Sequence, residues 1–449
     1  MKHLIGVTSL GCDKNRVDTE KMLGILVRAN FVVTSEHEKA DIIIVNTCAF
    51  IESARVEAVE AILDAAEHKK TGNCKKLIVT GCLPQKHADE LKKELPEVDA
   101  FLGVKDYESI LSVVEGLLAD SKSATKTSAP ILINKTDKDI TASAKGRFIT
   151  TAPHLAYLRI SDGCDNHCTY CTIPSIRGKY NSVPIEALVD ETKYLIDSGA
   201  REIIIVAQDT TSYGKDIYGG DIKLLPLLEK LTTLNAEKFR LMYAYPHLVS
   251  GDLVKFIGGC DKMASYIDCP IQHADTAVLK RMNRPYTESD LYKLIETIRA
   301  QKNYIALRTT LIVGFPGESE TEFATLQKFI RQAKPDHIGA FMYSCEEGTP
   351  AAILKEQIAQ EVKRQRYFIV GELHRKNTIA YNKNQIGKTL QVRYEDIDFN
   401  KDMFVGRTEY NAPNIDTQVY FKAQSVDVGN MYNVRITGVE GYDLIGEEI

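Results

Sequence analysis

The sequence predicts a mixed α/β chain in three folded parts. These are a parallel α/β domain of the Rossmann or flavodoxin-like type, a partial (β/α)6 barrel and a small antiparallel β-barrel. Short apolar runs alternate with stretches of helical spacing through the first 118 residues. The alternation returns on a longer repeat from about residue 149. Beyond about residue 383 the helical spacing stops, and short alternating strands separated by Gly and Asn take over.

In the first part, His3–Ser9 is an apolar run, and Asp13–Ala29 has helical spacing at Val17, Met22 and Leu26. Asp41–Asn46 (DIIIVN) reads as a strand buried on both faces, Glu52–Lys69 as a helix and Lys76–Thr80 (KLIVT) as a third strand. Strands that alternate with helices imply parallel pairing, because each return must cross over. A helix around Tyr107–Leu118 closes this domain, residues 1–118. Residues 119–148 are rich in Ser, Thr and Lys and read as a linker with one short strand at Ile131–Ile133.

The second part spans residues 149–382. Its expected strands are Ala156–Ser161, Glu202–Ala207, Arg240–Ala244, Tyr266–Asp268, Ala306–Val313 and His337–Tyr343. Helices are expected between them at Pro184–Ser198, Lys223–Thr232, Leu253–Gly258, Thr287–Gln301 and Glu320–Ala333, and a long helix, Lys355–Asn382, ends the segment. The third part, residues 383–449, offers strands at Thr389–Tyr394, Asp402–Arg407, Thr417–Phe421 and Asn433–Val439. That pattern suits the small barrels used by oligonucleotide-binding modules.

Composition narrows the function classes. The 449 residues are 44% hydrophobic and 26% charged, ordinary for a globular protein, which excludes a disordered or fibrous chain. A net charge of −5 argues against a broadly basic nucleic-acid binder. No apolar run suits a membrane span. The opening Met1–Cys12 loosely resembles a lipoprotein leader, but Thr8 and Ser9 interrupt its short apolar stretch. Ten cysteines in this length are too sparse for a secreted disulfide scaffold, so a cytoplasmic setting with reduced thiols is expected.

Cys164, Cys168 and Cys171 form C-x3-C-x2-C directly after the first barrel strand. Three thiolates on one loop can hold three irons of a four-iron cluster and leave the fourth iron open. A zinc site would want four protein ligands in paired spacings, which His167, inside the loop, does not supply. Cys12, Cys48 and Cys82 end the first three apolar strands, each preceded by Gly or Thr. In a parallel α/β sheet all strand C-termini share one edge, so these thiols are expected to converge as a second three-thiolate site. Cys74, Cys260, Cys269 and Cys345 repeat neither pattern and read as structural.

The C-x3-C-x2-C loop, with Tyr170 before its last cysteine, resembles the radical S-adenosylmethionine superfamily. The preceding three-cysteine domain and the terminal barrel, similar to a TRAM domain, narrow the resemblance to the methylthiotransferases, over nearly the whole chain. SLGCDKNRVDTE, CTIPSIRGKYNS and IVAQDTTSYG resemble the branch that modifies an aspartate of small-subunit ribosomal protein twelve. The alternative is the branch that methylthiolates a tRNA adenosine. Two positions depart from the family pattern, Asp13 in place of Pro and Cys269 in place of an aliphatic residue, the latter leaving open an extra reactive thiol.

The resemblance implies two [4Fe-4S] clusters, one on Cys164, Cys168 and Cys171 and one on Cys12, Cys48 and Cys82. It implies that S-adenosylmethionine chelates the open iron of the first and is cleaved by one electron to a 5′-deoxyadenosyl radical. The radical takes hydrogen from the aspartate β-carbon, sulfur is delivered from the second cluster, and a second S-adenosylmethionine supplies the methyl group. The implied partners are ribosomal protein twelve, free or in the ribosome, an external electron donor and a sulfur donor, with no membrane; the enzyme would work as a monomer.

Other site residues are expected at strand ends. Tyr170 could pack near the adenine, Gln208 and Asp209 could bind the ribose or methionyl part, and Arg308 could fork onto the methionyl carboxylate. Gly314 and Gly317 could let backbone approach the nucleoside. His247 and His273 read as core or capping residues, and Lys363-Arg364-Gln365-Arg366 as a solvated helix face. From residue 383 onward 11 acidic residues face 7 basic ones, which suits a basic protein substrate better than RNA phosphates.

Overall fold

The computed structural model describes residues 3–120, 129–134 and 146–449; the rest of the expected linker lies outside the described residues. The first domain runs β1 (Leu4–Ser9), α1 (Asp13–Arg28), β2 (Val32–Thr34), β3 (Ile42–Thr47), α2 (Glu52–Thr71), β4 (Lys76–Gly81), α3 (Cys82–Glu94), β5 (Ala100–Gly103), α4 (Ile110–Asp120) and β6 (Ile131–Leu132). Its six strands lie in the order β2-β1-β3-β4-β5-β6, and every pair is parallel. β3 shows why both faces are covered. Ile42 and Ile44 pack towards α1 and α4, while Ile43 and Val45 pack towards α2 and α3, all fully buried. The chain winds one way from β1 to β2 and the other way from β3 onward. The topological switch therefore falls between β1 and β3, where such sheets hold their ligands. The edge strand β2 was not expected, because its three residues are half exposed and carry no alternation.

The second domain runs β7 (Leu155–Arg159), β8 (Ser161–Asp162), α5 (Ile173–Arg177), β9 (Asn181–Ser182), α6 (Ile185–Asp197), β10 (Glu202–Val206), α7 (Leu224–Leu231), β11 (Lys238–Leu241), α8 (Gly251–Gly259), β12 (Tyr266–Asp268), α9 (Thr276–Arg281), α10 (Glu288–Arg299), β13 (Ala306–Val313), α11 (Glu320–Ala333), β14 (His337–Met342) and α12 (Gln360–Lys383). Two parallel three-stranded sheets, β11-β10-β7 and β12-β13-β14, meet at a single bridge between Phe239 and Met263, so six strands curve into an open barrel. The small antiparallel pair β8–β9 flanks the cysteine loop. Capping boxes at Thr287 and Ser319 start α10 and α11 where the sequence places them.

Inside the barrel, Tyr157, Ile204, Val206, Met242, Tyr266 and Ala306 cluster with Val17 from α1 and Ala412 from the C-terminal domain. Both flanking domains thus insert a side chain into the barrel's own core.

The last domain is β15 (Thr389–Asp398), β16 (Met403–Arg407), β17 (Val419–Lys422), β18 (Met431–Glu440) and β19 (Asp443–Glu448), closed in the order β15-β16-β17-β19-β18. Four of its pairings are antiparallel and one, β17 with β19, is parallel. The strand β19 was not expected, because its acidic end and Gly446 hide the alternation.

This domain is fastened to the barrel by ion pairs. Glu202, fully buried, accepts from Arg240 at 2.8 Å and from Arg407, and Arg393 lies 3.9 Å away. Burial alone would raise its carboxyl, but the Arg407 and Arg240 guanidiniums outweigh that and hold it well below the usual carboxylate range. A depressed folded pKa adds stability that is complete above the unfolded value, about 4.3, and is lost as pH falls through the folded one. The denaturant midpoint is therefore expected to fall on acidification below about pH 4, and Glu202→Gln is expected to flatten that fall, as read by urea unfolding across pH. The same contacts qualify the charge argument. Glu395, Glu409 and Asp416 are engaged by Arg407, Lys238 and Arg308, so part of the domain's acidity is used internally rather than offered to a partner.

Candidate functional site

The three N-terminal thiols converge at the switch point. Cys12 caps the start of α1, Cys48 follows β3 and Cys82 opens α3, and β1, β3 and β4 are neighbours in the sheet. Gly11 adopts φ +86°, and a Cβ there would lie 2.8 Å from Cys48 Cβ and 3.2 Å from Cys48 Sγ. Gly81, at φ +102°, is equally tight against Asn46 and Thr47. Only glycine fits at either place, which explains the residue before Cys12 and before Cys82. Burial pushes the Cys82 thiol up to about 12, and the Cys12 and Cys48 thiols add to the rise. Burial also raises Cys48, helped by Cys12.

Cys164, Cys168 and Cys171 lie on the loop between β8 and α5. The backbone N–H of Ile173 donates to Cys171 Sγ at 3.4 Å, Arg284 Nη1 donates to Cys168 Sγ at 3.4 Å, and the Tyr245 hydroxyl is 3.8 Å from the same sulfur. Burial pushes Cys164 and Cys171 up to about 12. Such thiols hold their protons unless a metal displaces them, and the N–H groups aimed at sulfur suit thiolate ligands of a cluster. Among the described residues no three Cys, His, Asp or Glu side chains close around a single ion. A four-iron cube spreads its ligands over separate corners, an arrangement that three thiols on one loop suit. Beside Cys164 a cleft of about 350 Å³ is lined by Gln85, Lys105, His167 and Lys179, with one wall from each of the first two domains.

One buried arginine links the two cysteine groups. Arg177, at the end of α5, donates to Asn15 Oδ1 at 2.5 Å, to Asp18 Oδ2 at 3.0 Å and to both Asp162 oxygens at 3.1 and 3.0 Å. Asn15 in turn donates to Thr47 O at 2.9 Å and faces Cys82 Sγ at 3.7 Å. Arg159 donates to Asp18 Oδ1 at 2.5 Å. Burial would raise the Asp162 carboxyl, but Arg177 and Arg159 hold it down to about 2. Sequence reasoning missed this network. Its signal was the polar first half of α1 (DKNRVDTE), since a helix that covers a parallel sheet should bury an apolar face and its buried polar side chains need partners.

The expected strand-end residues divide. Gln208 donates to Asp162 at 2.8 Å and keeps a buried Oε1 with no partner among the described residues. Tyr170 is flanked by Arg284 and the Cys168 and Cys171 thiols, and burial pushes its hydroxyl well above the usual range. Asp209 is engaged within the protein: its carboxylate accepts from Asn166 Nδ2 at 2.8 Å and from Thr211 and Ser212, which anchors the cysteine loop. Arg308 is engaged within the protein, its guanidinium ion-paired with Asp268 at 3.1 Å and with Asp416 at 3.3 Å. Gly314 has φ +71°, but the space beside it is taken by the Lys363 stem, 2.4 Å from where a Cβ would stand. Gly317 meets Glu356 in the same way.

Lys363 and Arg366 are not solvated either. Both are buried, with Lys363 Nζ on Tyr343 O at 2.9 Å and Arg366 on Glu318 O at 2.9 Å, so they latch α12 to the turns after β13 and β14. His273 is a core histidine whose Nδ1 accepts from the Asp275 N–H at 3.0 Å. His247 is exposed and packs edge-on against Tyr245. Cys269 is fully buried and its thiol is pushed far up by burial, which removes it as a reactive thiol.

Comparison with known proteins matches these parts in turn. Residues 4–103 match an uncharacterized protein family, UPF0004; residues 158–330 match the radical SAM superfamily; residues 386–449 match the TRAM domain. Among solved structures, the radical S-adenosylmethionine methyltransferase TsrM from Kitasatospora setae, with cobalamin and a [4Fe-4S] cluster bound, has a TM-score of 0.55 at 14% identity. The match covers 79% of this chain and 77% of that one, and it shows a shared fold. The ribosomal protein uS12 methylthiotransferase RimO of Clostridium perfringens is 44% identical over 446 residues, covering 99% of this chain and 98% of the relative. Its counterpart in Geobacter sulfurreducens is 42% identical, covering 100% and 99%. Likeness of that degree, unbroken from the switch-point cysteines through the cluster loop to the last barrel strand, means that this chain belongs to the RimO family of radical SAM methylthiotransferases.

Proposed function

We propose that this protein inserts a methylthio group at the β-carbon of an aspartate in ribosomal protein uS12. The observation that carries the reading is the pair of three-cysteine groups held on either side of Arg177, in a chain alike over its whole length to enzymes named for that substrate. Cys164, Cys168 and Cys171 hold one [4Fe-4S] cluster, and Cys12, Cys48 and Cys82 hold a second. The first, with S-adenosylmethionine bound, supplies a one-electron route to a hydrogen-abstracting radical, chemistry that no side chain performs.

The protein's own part is placement. Asp209 fixes Asn166, Thr169 N–H donates to Met282 O at 3.1 Å, and Asn283 Nδ2 donates to His167 O at 2.7 Å, so the cysteine loop is tied to barrel segments around it. Gln208 Oε1 is an open buried acceptor at a strand end, suited to an N–H or O–H of bound S-adenosylmethionine. Tyr170, beside the Cys168 and Cys171 thiols, would pack against the bound cofactor. The cleft beside Cys164, walled by the first two domains, offers the substrate aspartate an approach to the cysteine loop. Cys12, Cys48 and Cys82 would hold the second cluster, which would supply the sulfur for insertion, replenished by an external sulfur donor. Electrons come from an external carrier. The enzyme works in the cytoplasm as a monomer, on uS12 free or in the ribosome. Among the described residues no helix is long and apolar enough to cross a membrane.

The deciding test is the mass of uS12 from wild-type and deletion cells. A methylthio group present only when the gene is intact is the expected result. An unchanged mass would remove the uS12 reading and direct the search to tRNA nucleosides.

A further inference from the structure

Arg284 is buried, yet among the described residues it forms no ion pair with a carboxylate. Its guanidinium is fully engaged all the same. Nε donates to Tyr286 Oη at 2.6 Å, Nη2 to Pro270 O at 2.5 Å and Nη1 to Cys168 Sγ at 3.4 Å. The plane lies over the Tyr245 ring at 4.1 Å, and the Tyr245 hydroxyl reaches the same Cys168 sulfur. The neighbouring chain is fixed against the cysteine loop. Thr169 Oγ1 donates to Arg281 O at 2.9 Å, and Asn283, at φ +56°, turns the backbone so that its own side chain holds His167 O. A buried cation requires a counter-charge. The negative group this one touches is the sulfur of Cys168 once that thiol has given up its proton to metal.

We propose that Arg284 sets the reduction potential of the cluster held by Cys164, Cys168 and Cys171, through its charge and its N–H···S hydrogen bond. This rests on the cluster assignment proposed above. Reduction adds one electron from an external low-potential one-electron donor, and neither a proton nor a bond to Arg284 is involved. The extra negative charge falls mainly on iron and sulfur. A fixed cation and an N–H donor at one ligand sulfur stabilise the reduced form more than the oxidised one. Arg284 is thus a positioning residue that makes the first electron easier to accept. A guanidinium suits this better than an ammonium, because its planar fork serves Pro270, Tyr286 and Cys168 at once.

The test is the midpoint potential, by dithionite titration followed by electron paramagnetic resonance. The iron-reconstituted full chain is used with Cys12, Cys48 and Cys82 all changed to Ala, so that one cluster alone is read. Arg284→Met is expected to lower the equilibrium constant for reduction at least tenfold, a fall of about 59 mV for one electron. Arg284→Lys, which keeps the charge but not the fork, is expected to lower it about threefold. Clusters that load normally and stay within twofold of the parent would overturn the proposal. If Arg284→Met binds no iron, the lysine variant decides by the same criterion. A parent protein that takes up iron but shows no reducible cluster would instead overturn the cluster assignment, and this proposal with it.

Discussion

Cys164→Ala is expected to abolish reductive cleavage of S-adenosylmethionine, while Cys12→Ala is expected to spare that cleavage and stop sulfur insertion into uS12. Each cysteine sits at the end of a different sheet, so each removes one thiolate from one group without disturbing the other group's strands. The Cys164 change should lower 5′-deoxyadenosine formation by more than about 100-fold, since even the loss of an outer partner of a metal ligand costs roughly 10–100-fold. Both products can be read from one anaerobic reaction, 5′-deoxyadenosine by chromatography and the methylthio group by uS12 mass. Full methylthiolation by the Cys12 variant would show that the switch-point group does not deliver sulfur.

The second large effect is on stability. Arg177→Met would leave Asp18, Asp162 and Asn15 without their shared donor, in a place where Arg177 is buried. Removing one partner of a buried ion pair costs roughly 3–5 kcal/mol, because the remaining charge stays buried and unpaired. Arg159 still touches Asp18 and lies 3.5 Å from Asp162, so the loss should fall at the lower end of that range. The expected result is a lower urea midpoint with an unchanged m-value, together with poorer iron loading at both cysteine groups. A urea midpoint unchanged from the parent protein's would show that the network is not structural.

The barrel was legible where repetition is strong. Each of its six strands is a short apolar run set off by turn residues, and the structure keeps Tyr266–Asp268 and Ala306–Val313 without change. The convergence of Cys12, Cys48 and Cys82 was legible because parallel sheets place every strand end on one edge. What the sequence could not show is who pairs with whom across the fold. Arg308 and Asp209 have the chemistry of ligand-binding residues, but their partners, Asp416 and Asn166, are set by the packing of distant segments. Arg177 reaches Asn15 across 162 positions, a separation that no spacing rule detects. Lys363 and Arg366 looked solvated because charged residues on a long helix usually are, whereas α12 turns them inward to satisfy backbone carbonyls.

Val17 and Ala412 inside the barrel carry a last consequence. A core that is completed by a residue near the N-terminus and another near the C-terminus cannot be finished until nearly the whole chain has left the ribosome. The central segment alone would show an open interior, and its assembly waits for contacts between residues several hundred positions apart. Chains dominated by such distant contacts fold slowly. During synthesis, then, the cysteine loop emerges long before its surroundings close, an interval in which iron can still reach the thiols that the finished structure buries.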